Sequence, residues 1–496
     1  MYQAGQSLTT GRVLAHSVIW NFIGMAVPVL IALVAIPLLI KGMGEERFGL
    51  LSIIWMGVGY FSLFDLGLGR ALTKLIAERL GLGRIDGLGS LIWTALAMLL
   101  LMGSIGGTVV LLLSHTLVTK LLNINQVLQA EAIASFCILA AGLPVVIVST
   151  ALVGILQAHQ RFATITKIRL PLGILTFVGP LITLHFTPNL GWATATLLLS
   201  RLLALLAFSI AAASIRPELR IPSLPRRDHM VHLLSFGGWL TVSNIVGPLM
   251  TYLDRFLVGA LLSMTAVTYY VTPYEVLSRA QMLPQSIMAV VFPAMATAFA
   301  GDRQRLVHIY TSSTQALVGS MLPVTAGFFL LAPDLLDLWL GEDFRISSTP
   351  VMQWLAVGWM VNVFALQPLT ALQSTGRPDL VAKTHLAELF PYLLLLWLFT
   401  SSFGIAGAAA TWALRALFDT VILNEITGKM IPELQSAVMH TRISLVVVLT
   451  GFVGACFLDA LPARGGLLLL VVVGSGITLL PTILRLRGRR GPAECW

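Results

Sequence analysis

Runs of roughly 20 mostly apolar residues, each long enough to cross a bilayer as a helix, follow one another along nearly the whole of this 496-residue chain. Cutting at polar and charged clusters predicts fourteen of them, near 14–40, 48–68, 88–113, 131–156, 170–187, 191–213, 236–262, 265–299, 311–332, 350–374, 380–400, 404–424, 443–460 and 465–484. Composition leaves little else open. Only 11% of the residues are Asp, Glu, Lys or Arg, 57% are apolar, and the mean hydropathy is +0.89. A water-facing surface takes about 25% charged residues, so a soluble enzyme, a disordered protein and a secreted disulfide scaffold are excluded. The expected fold is an all-α polytopic membrane protein. Cys137, Cys456 and Cys495 are too few and too scattered for a disulfide framework or a zinc site. The run Val13–Ile40 exceeds a signal-peptide core and reads as the first span.

The net charge of +9 is explained by sidedness rather than by nucleic acid. With the N-terminus inside, the inner segments hold 22 of the 31 Lys and Arg residues, and the outer loops hold five, Lys41, Arg47, Lys120, Arg345 and Arg464. Both termini are therefore expected in the cytoplasm. The inner segment from Arg216 to Phe236 carries Pro222 and Pro225 and reads as a linker. The predicted organisation is a six-helix lobe over 1–215, a linker over 216–235, a second six-helix lobe over 236–430, and two extra helices with a basic tail over 431–496.

A weak internal repeat supports two related lobes. Trp20 and Pro28 in the first span answer to Trp239 and Pro248 in the seventh. Phe48-Gly49 answers to Tyr269-Tyr270. The best match sets Gly191-Trp-Ala-Thr-Ala-Thr before Arg201 against Gly404-Ile-Ala-Gly-Ala-Ala-Ala-Thr before Arg415, an offset of 214 residues.

An ionisable residue in hydrocarbon costs roughly 2.5–3.5 kcal/mol on insertion scales, so it faces a cavity or a partner. Arg201, Arg255, Arg279 and Arg415 fall inside predicted spans and are the candidate cationic lumen, with Tyr252 beside them. The candidate coupling or charge-balancing acids are Asp65, Asp254, Glu275, Glu388 and Asp419. Asp254 and Arg255 are adjacent on a helix and point about 100° apart, so they cannot pair face to face. Glu275 and Arg279 are spaced for an ion pair, as are Arg415 and Asp419, whereas Arg201 has no acid within a turn of its own helix. Tyr269 and Tyr270 read as an interfacial aromatic belt. No phosphate-binding loop, metal motif or catalytic triad is present, so neither an attached ATPase nor an enzyme is expected.

Phe48-Gly49-Leu50-Leu51, then Phe64-Asp65-Leu66-Gly67-Leu68-Gly69-Arg70-Ala71, resembles the N-terminal signature of bacterial polysaccharide transport proteins. These are the Wzx-type flippases of the multidrug/oligosaccharidyl-lipid/polysaccharide exporter superfamily. Asp254-Arg255-Phe256, Tyr270-Val-Thr-Pro273-Tyr274-Glu275 and Phe292-Pro293 look like that family's seventh and eighth spans. The resemblance implies a V-shaped two-lobe transporter in the bacterial inner membrane. It would move an undecaprenyl-pyrophosphate-linked oligosaccharide from the cytoplasmic to the periplasmic leaflet, with membrane lipids and other polysaccharide assembly proteins as partners. No cofactor is expected beyond a coupling H+ or Na+. Two other readings compete. A drug or cation antiporter of the same fold would favour an acidic cavity, and a membrane glycosyltransferase or polymerase would need larger outer loops than this chain has.

Overall fold

A computed structural model of the chain describes residues 27–28, 30–61, 68–81, 86–159, 161–231, 233, 250, 252–458 and 460–488. Among them the regular elements are helices. They are α1 (Leu30–Met43), α2 (Glu45–Phe61), α3 (Leu68–Gly81), α4 (Leu88–Thr116), α5 (Gln126–Ala158), α6 (Phe162–Phe186), α7 (Leu190–Ile215) and α8 (252–261). There follow α9 (Met264–Arg279), α10 (Met282–Gly301), α11 (Arg303–Leu330), α12 (Ala332–Leu340), α13 (Glu342–Ser374), α14 (Pro378–Met430), α15 (Gln435–Ala455) and α16 (Leu461–Gly488). Nine helices among the described residues are long and apolar enough to cross a membrane. Residues 14–26 of the first predicted span and 236–249 of the seventh lie outside the described residues.

The chain forms two compact units, Met1–Thr268 and Tyr269–Trp496. In the first, α5 is the central helix. Small residues let α4 lie against it, as membrane helix pairs require: a side chain at Gly103 would run into the Pro144 backbone 2.6 Å away, and one at Gly107 into the Ala140 carbonyl. Leu91, Leu99, Ile147, Leu156 and Phe208 fill the core beside them. At one end Arg47 makes a two-pronged bond to Glu131, Nε to Oε2 at 3.0 Å and Nη2 to Oε1 at 2.9 Å. Glu131 Oε2 also accepts from the Leu190 N–H at 3.1 Å, tying the starts of α2, α5 and α7 together.

In the second unit α13 is the enclosed helix, with 78% of its most apolar stretch buried. Its neighbour α14 runs for 53 residues and is broken by Gly404, at φ 62° and ψ −144°. A side chain is disfavoured in that conformation, which makes Gly404 the turn between the two spans predicted at 380–400 and 404–424. The halves fold back on each other, since Thr411 Oγ1 reaches the Leu395 carbonyl at 3.5 Å.

Three expectations need correction. The segment between the second and third predicted spans, to which no helix was assigned, contains α3, which buries Leu68, Ala71, Leu72 and Ile76 completely on one face. The predicted fifth span at 170–187 begins eight residues earlier, at Phe162. Tyr270 is not part of an exposed belt but wholly buried, and Tyr269 stacks edge-on against Phe344 at 4.7 Å.

Candidate functional site

In the first unit α3, α5, α6 and α7 enclose a cavity of about 320 Å³. The glycine at 154 makes it possible. A side chain there would meet Thr73 Oγ1 at 2.6 Å and the Gly69 carbonyl at 2.9 Å, so only glycine lets α3 lie this close to α5. Arg201 reaches the cavity from α7, eleven residues past Leu190, and Arg169 from α6, seven past Phe162. By helix rise these are about 16 Å and 10 Å from the starts of their helices.

Among the described residues no carboxylate lines this cavity. Among the described residues neither arginine has an ionic partner, and burial alone acts on both. The other polar walls are Thr73, Ser149, Thr150 and Gln157. Thr73, Ser149 and Thr150 donate to their own helices, to Gly69, Val145 and Ile147 carbonyls at 2.7–2.8 Å. The two guanidiniums and the Gln157 amide are thus the donors available to a guest. Two delocalised cations with fork-shaped donors, in a pocket without acids, suit a group carrying several phosphate oxygens.

Arg169 was missed in the sequence because it sits beside Arg161 and Lys167 and counts as positive-inside charge. Pro171 reinforced the error, since a proline reads as a helix start, whereas the helix runs through it from Phe162 and so includes Arg169.

The other predicted residues divide. Arg255 is 1% exposed, with Nη1 3.3 Å from Met56 Sδ and its guanidinium 5.2 Å from the Tyr252 ring centre. Its backbone N–H donates to Asp254 Oδ1 at 2.8 Å. In the first unit it is therefore a packed side chain and does not line the cavity with Arg201. Arg279 bonds Glu275 at 3.0 Å as the spacing predicts, on an exposed face.

The expected local pair of Arg415 with Asp419 is not formed. Asp419 instead faces His385 Nε2 at 3.5 Å across the α14 hairpin, and Arg415 lies 5.8 Å from the Tyr392 ring centre. Glu388 and Arg415 line a second cavity, also about 320 Å³, between the two halves of α14. Arg415 stands eleven residues past Gly404, as Arg201 does past Leu190. Asp65 lies outside the described residues.

The profile of a family described as polysaccharide biosynthesis proteins matches residues 43–349. An O-antigen transporter of Shigella flexneri is 30% identical over 425 residues, covering 83% of this chain and 97% of that one. The fold matches an inward-facing multidrug resistance MATE family transporter of the MOP superfamily with a TM-score of 0.70 at 15% identity, over 88% of this chain and 99% of that one. It matches the lipid II flippase MurJ in an inward closed conformation with a TM-score of 0.67 at 15% identity, over 94% and 100%.

Proposed function

The chain belongs to this family of polysaccharide biosynthesis proteins, and we propose that it flips a lipid-linked oligosaccharide from the cytoplasmic to the periplasmic leaflet of the bacterial inner membrane. It is a multi-pass transporter and not an enzyme. The observation that carries the substrate class is the cavity holding Arg169 and Arg201, which no carboxylate among the described residues lines. A pyrophosphate cannot enter hydrocarbon uncompensated, and paired guanidiniums offer the compensation while the polyprenyl tail stays in lipid. A drug or cation antiporter would need an acidic pocket in the same place. The partners are the carrier lipid, the surrounding membrane lipids and the other proteins of polysaccharide assembly.

The test is made in the native host. Deletion of the gene should leave lipid-linked repeat units accumulating on the cytoplasmic face. Charge-assisted hydrogen bonds contribute about 1.5–3 kcal/mol each, so Arg201→Ala should lower export about tenfold or more at unchanged membrane abundance. Arg201→Lys should recover part of it, because the charge stays and the fork is lost. Wild-type export by a doubly substituted Arg169→Ala, Arg201→Ala protein would remove the cavity from the transport path.

A further inference from the structure

The cavity between the two halves of α14 combines apolar walls with two polar groups that do not meet. Pro391, Leu395, Phe418 and Ile422 make it apolar, and Glu388 and Arg415 add a carboxylate and a guanidinium. Glu388 is 8% exposed, and among the described residues neither of its carboxyl oxygens has a hydrogen-bond partner. Arg415 Nε is buried in the same state. Thr411 is no substitute partner, since its hydroxyl donates to the Gly407 carbonyl at 2.9 Å. An acceptor and a donor therefore border one space without bonding each other.

The surroundings decide what can enter. Every exposed residue of α14 from Leu386 to Leu398 is apolar, and so are the exposed Phe418, Val421 and Ile422 of the second half. A continuous apolar face of this kind marks contact with a membrane, so the mouth of the cavity opens on hydrocarbon. By helix rise Glu388 lies about 15 Å past Pro378 and Arg415 about 16 Å past Gly404, deep in a hydrocarbon core about 30 Å thick. A guest arriving there comes from the lipid phase, and its head is not an ion. Glu388 repels a phosphate, Arg415 repels an ammonium, and either charge is costly at this depth. A carbonyl would accept from Arg415 but leave Glu388 without a donor. A hydroxyl serves both, because one oxygen carries a donor and two acceptor lone pairs, and each bond it makes to a charged partner is of the stronger kind. At about 320 Å³ the cavity is at the small end of the roughly 300–1,000 Å³ that ligand pockets occupy. That holds a head and the first segment of a chain, with the rest left in the membrane.

We propose that the α14 cavity binds a lipid alcohol, a neutral isoprenoid or acyl lipid whose hydroxyl accepts from Arg415 and donates to Glu388 while its chain lies along Leu395, Phe418 and Ile422. Arg169 and Arg201 belong to a different cavity, in the first unit, and the lipid-alcohol site does not depend on what the protein exports.

The test uses full-length protein in phosphatidylcholine nanodiscs and two photoactivatable probes, an isoprenoid alcohol and a diacylglycerol, each with a diazirine in its chain. Each probe has a control whose hydroxyl is blocked as the methyl ether, and labelled residues are located by mass spectrometry. The expected result is saturable labelling of α14 around Leu395 and Phe418, weaker by about tenfold or more for the ether, the loss that one hydrogen bond to a charged group accounts for. Glu388→Ala and Arg415→Met should each lower it to a similar degree. Ala387→Phe, at an exposed position on the cavity wall, should abolish it by filling the space, and elution profile and Tm without probe check that the variant folds. The ether comparison needs no variant, so a poorly folding one leaves the question answerable. Labelling by the isoprenoid alcohol alone identifies a prenol and by the diacylglycerol alone an acyl lipid; both outcomes support a hydroxyl-headed guest. Ethers that label as well as the alcohols, labelling that excess phosphatidic acid removes, labelling that folded Ala387→Phe retains, or no saturable labelling of α14 at all would overturn the proposal.

Discussion

Arg255 shows how far a single residue can be read from sequence. Its position in an apolar run marks it as unusual, and the same reading puts it in a lumen. The structure encloses it, 1% exposed, against Met56 and the Tyr252 ring. The Met56 contact joins α8 to α2, and a packing role is the expectation to test. Arg255→Ala should cost about 2–5 kcal/mol, the scale of large-to-small core substitutions, and should lower membrane abundance while the molecules that remain export at the normal rate each. Arg255→Lys should recover little, since lysine lacks the flat guanidinium that packs on an aromatic ring. Export normalised to protein level separates the cases: a fall per molecule at full abundance would return Arg255 to the transport path. The Glu275–Arg279 pair was legible, because spacing brings the two within reach on one exposed helix face and no buried partner competes. Asp419 was not, because its partner His385 comes from 34 residues away, across a hairpin whose register depends on one glycine.

That glycine belongs to the element scale. Gly404 has open space where a side chain would go, so the cost of Gly404→Ala is purely that of its backbone conformation, about 1–3 kcal/mol. Gly407, three residues on, has an ordinary helical backbone, but a side chain there would collide with the Phe399 carbonyl and the Phe403 side chain. Gly407→Ala must therefore push the halves of α14 apart. Both variants should lower the Tm of the purified protein. Gly407→Ala should lower it more, because it also separates the packed halves. Equal Tm losses would mean that the hairpin does not depend on the close contact. The two spans of α14 were separable in the sequence because the polar Ser401-Ser402 pair divides their apolar runs just before Gly404. The helix α3 was hidden, since Arg70, Lys74, Glu78 and Arg79 break up its hydropathy while Leu68, Ala71, Leu72 and Ile76 recur on one face. A mean over the window sees the charges; a helical projection sees the buried stripe.

At the scale of the whole molecule the membrane sets the constraint, and orientation follows from where basic residues can remain. With Arg169 set aside in its cavity, the segments predicted to be inner carry 21 Lys and Arg against five in those predicted to be outer, and translocating a loop dense in positive charge is disfavoured. Three of the five residues predicted to be outer have structural work of their own. Arg47 is clamped to Glu131, Arg345 lies 2.8 Å from Glu342 and 3.9 Å from Asp337, and Arg464 bonds both Asp334 and the Leu330 carbonyl. Specific contacts explain their presence, so they do not weigh against the assignment. Reporter fusions after Arg84, Arg227, Arg305 and Arg490 should accordingly report cytoplasm, and fusions near Lys41, Lys120 and Arg345 periplasm. Each fusion samples a different turn, and an error in the number of spans between two sites reverses every site beyond it. Two reversals among the seven would therefore break the fourteen-span arrangement. A complete inversion would keep the spans and reverse the direction in which Arg169 and Arg201 are offered to a cytoplasmic substrate. The fusion after Arg227 is the most informative. It follows α7, where the first predicted lobe ends, so a cytoplasmic signal there together with one after Arg84 requires an even number of crossings between them, as α4, α5, α6 and α7 supply.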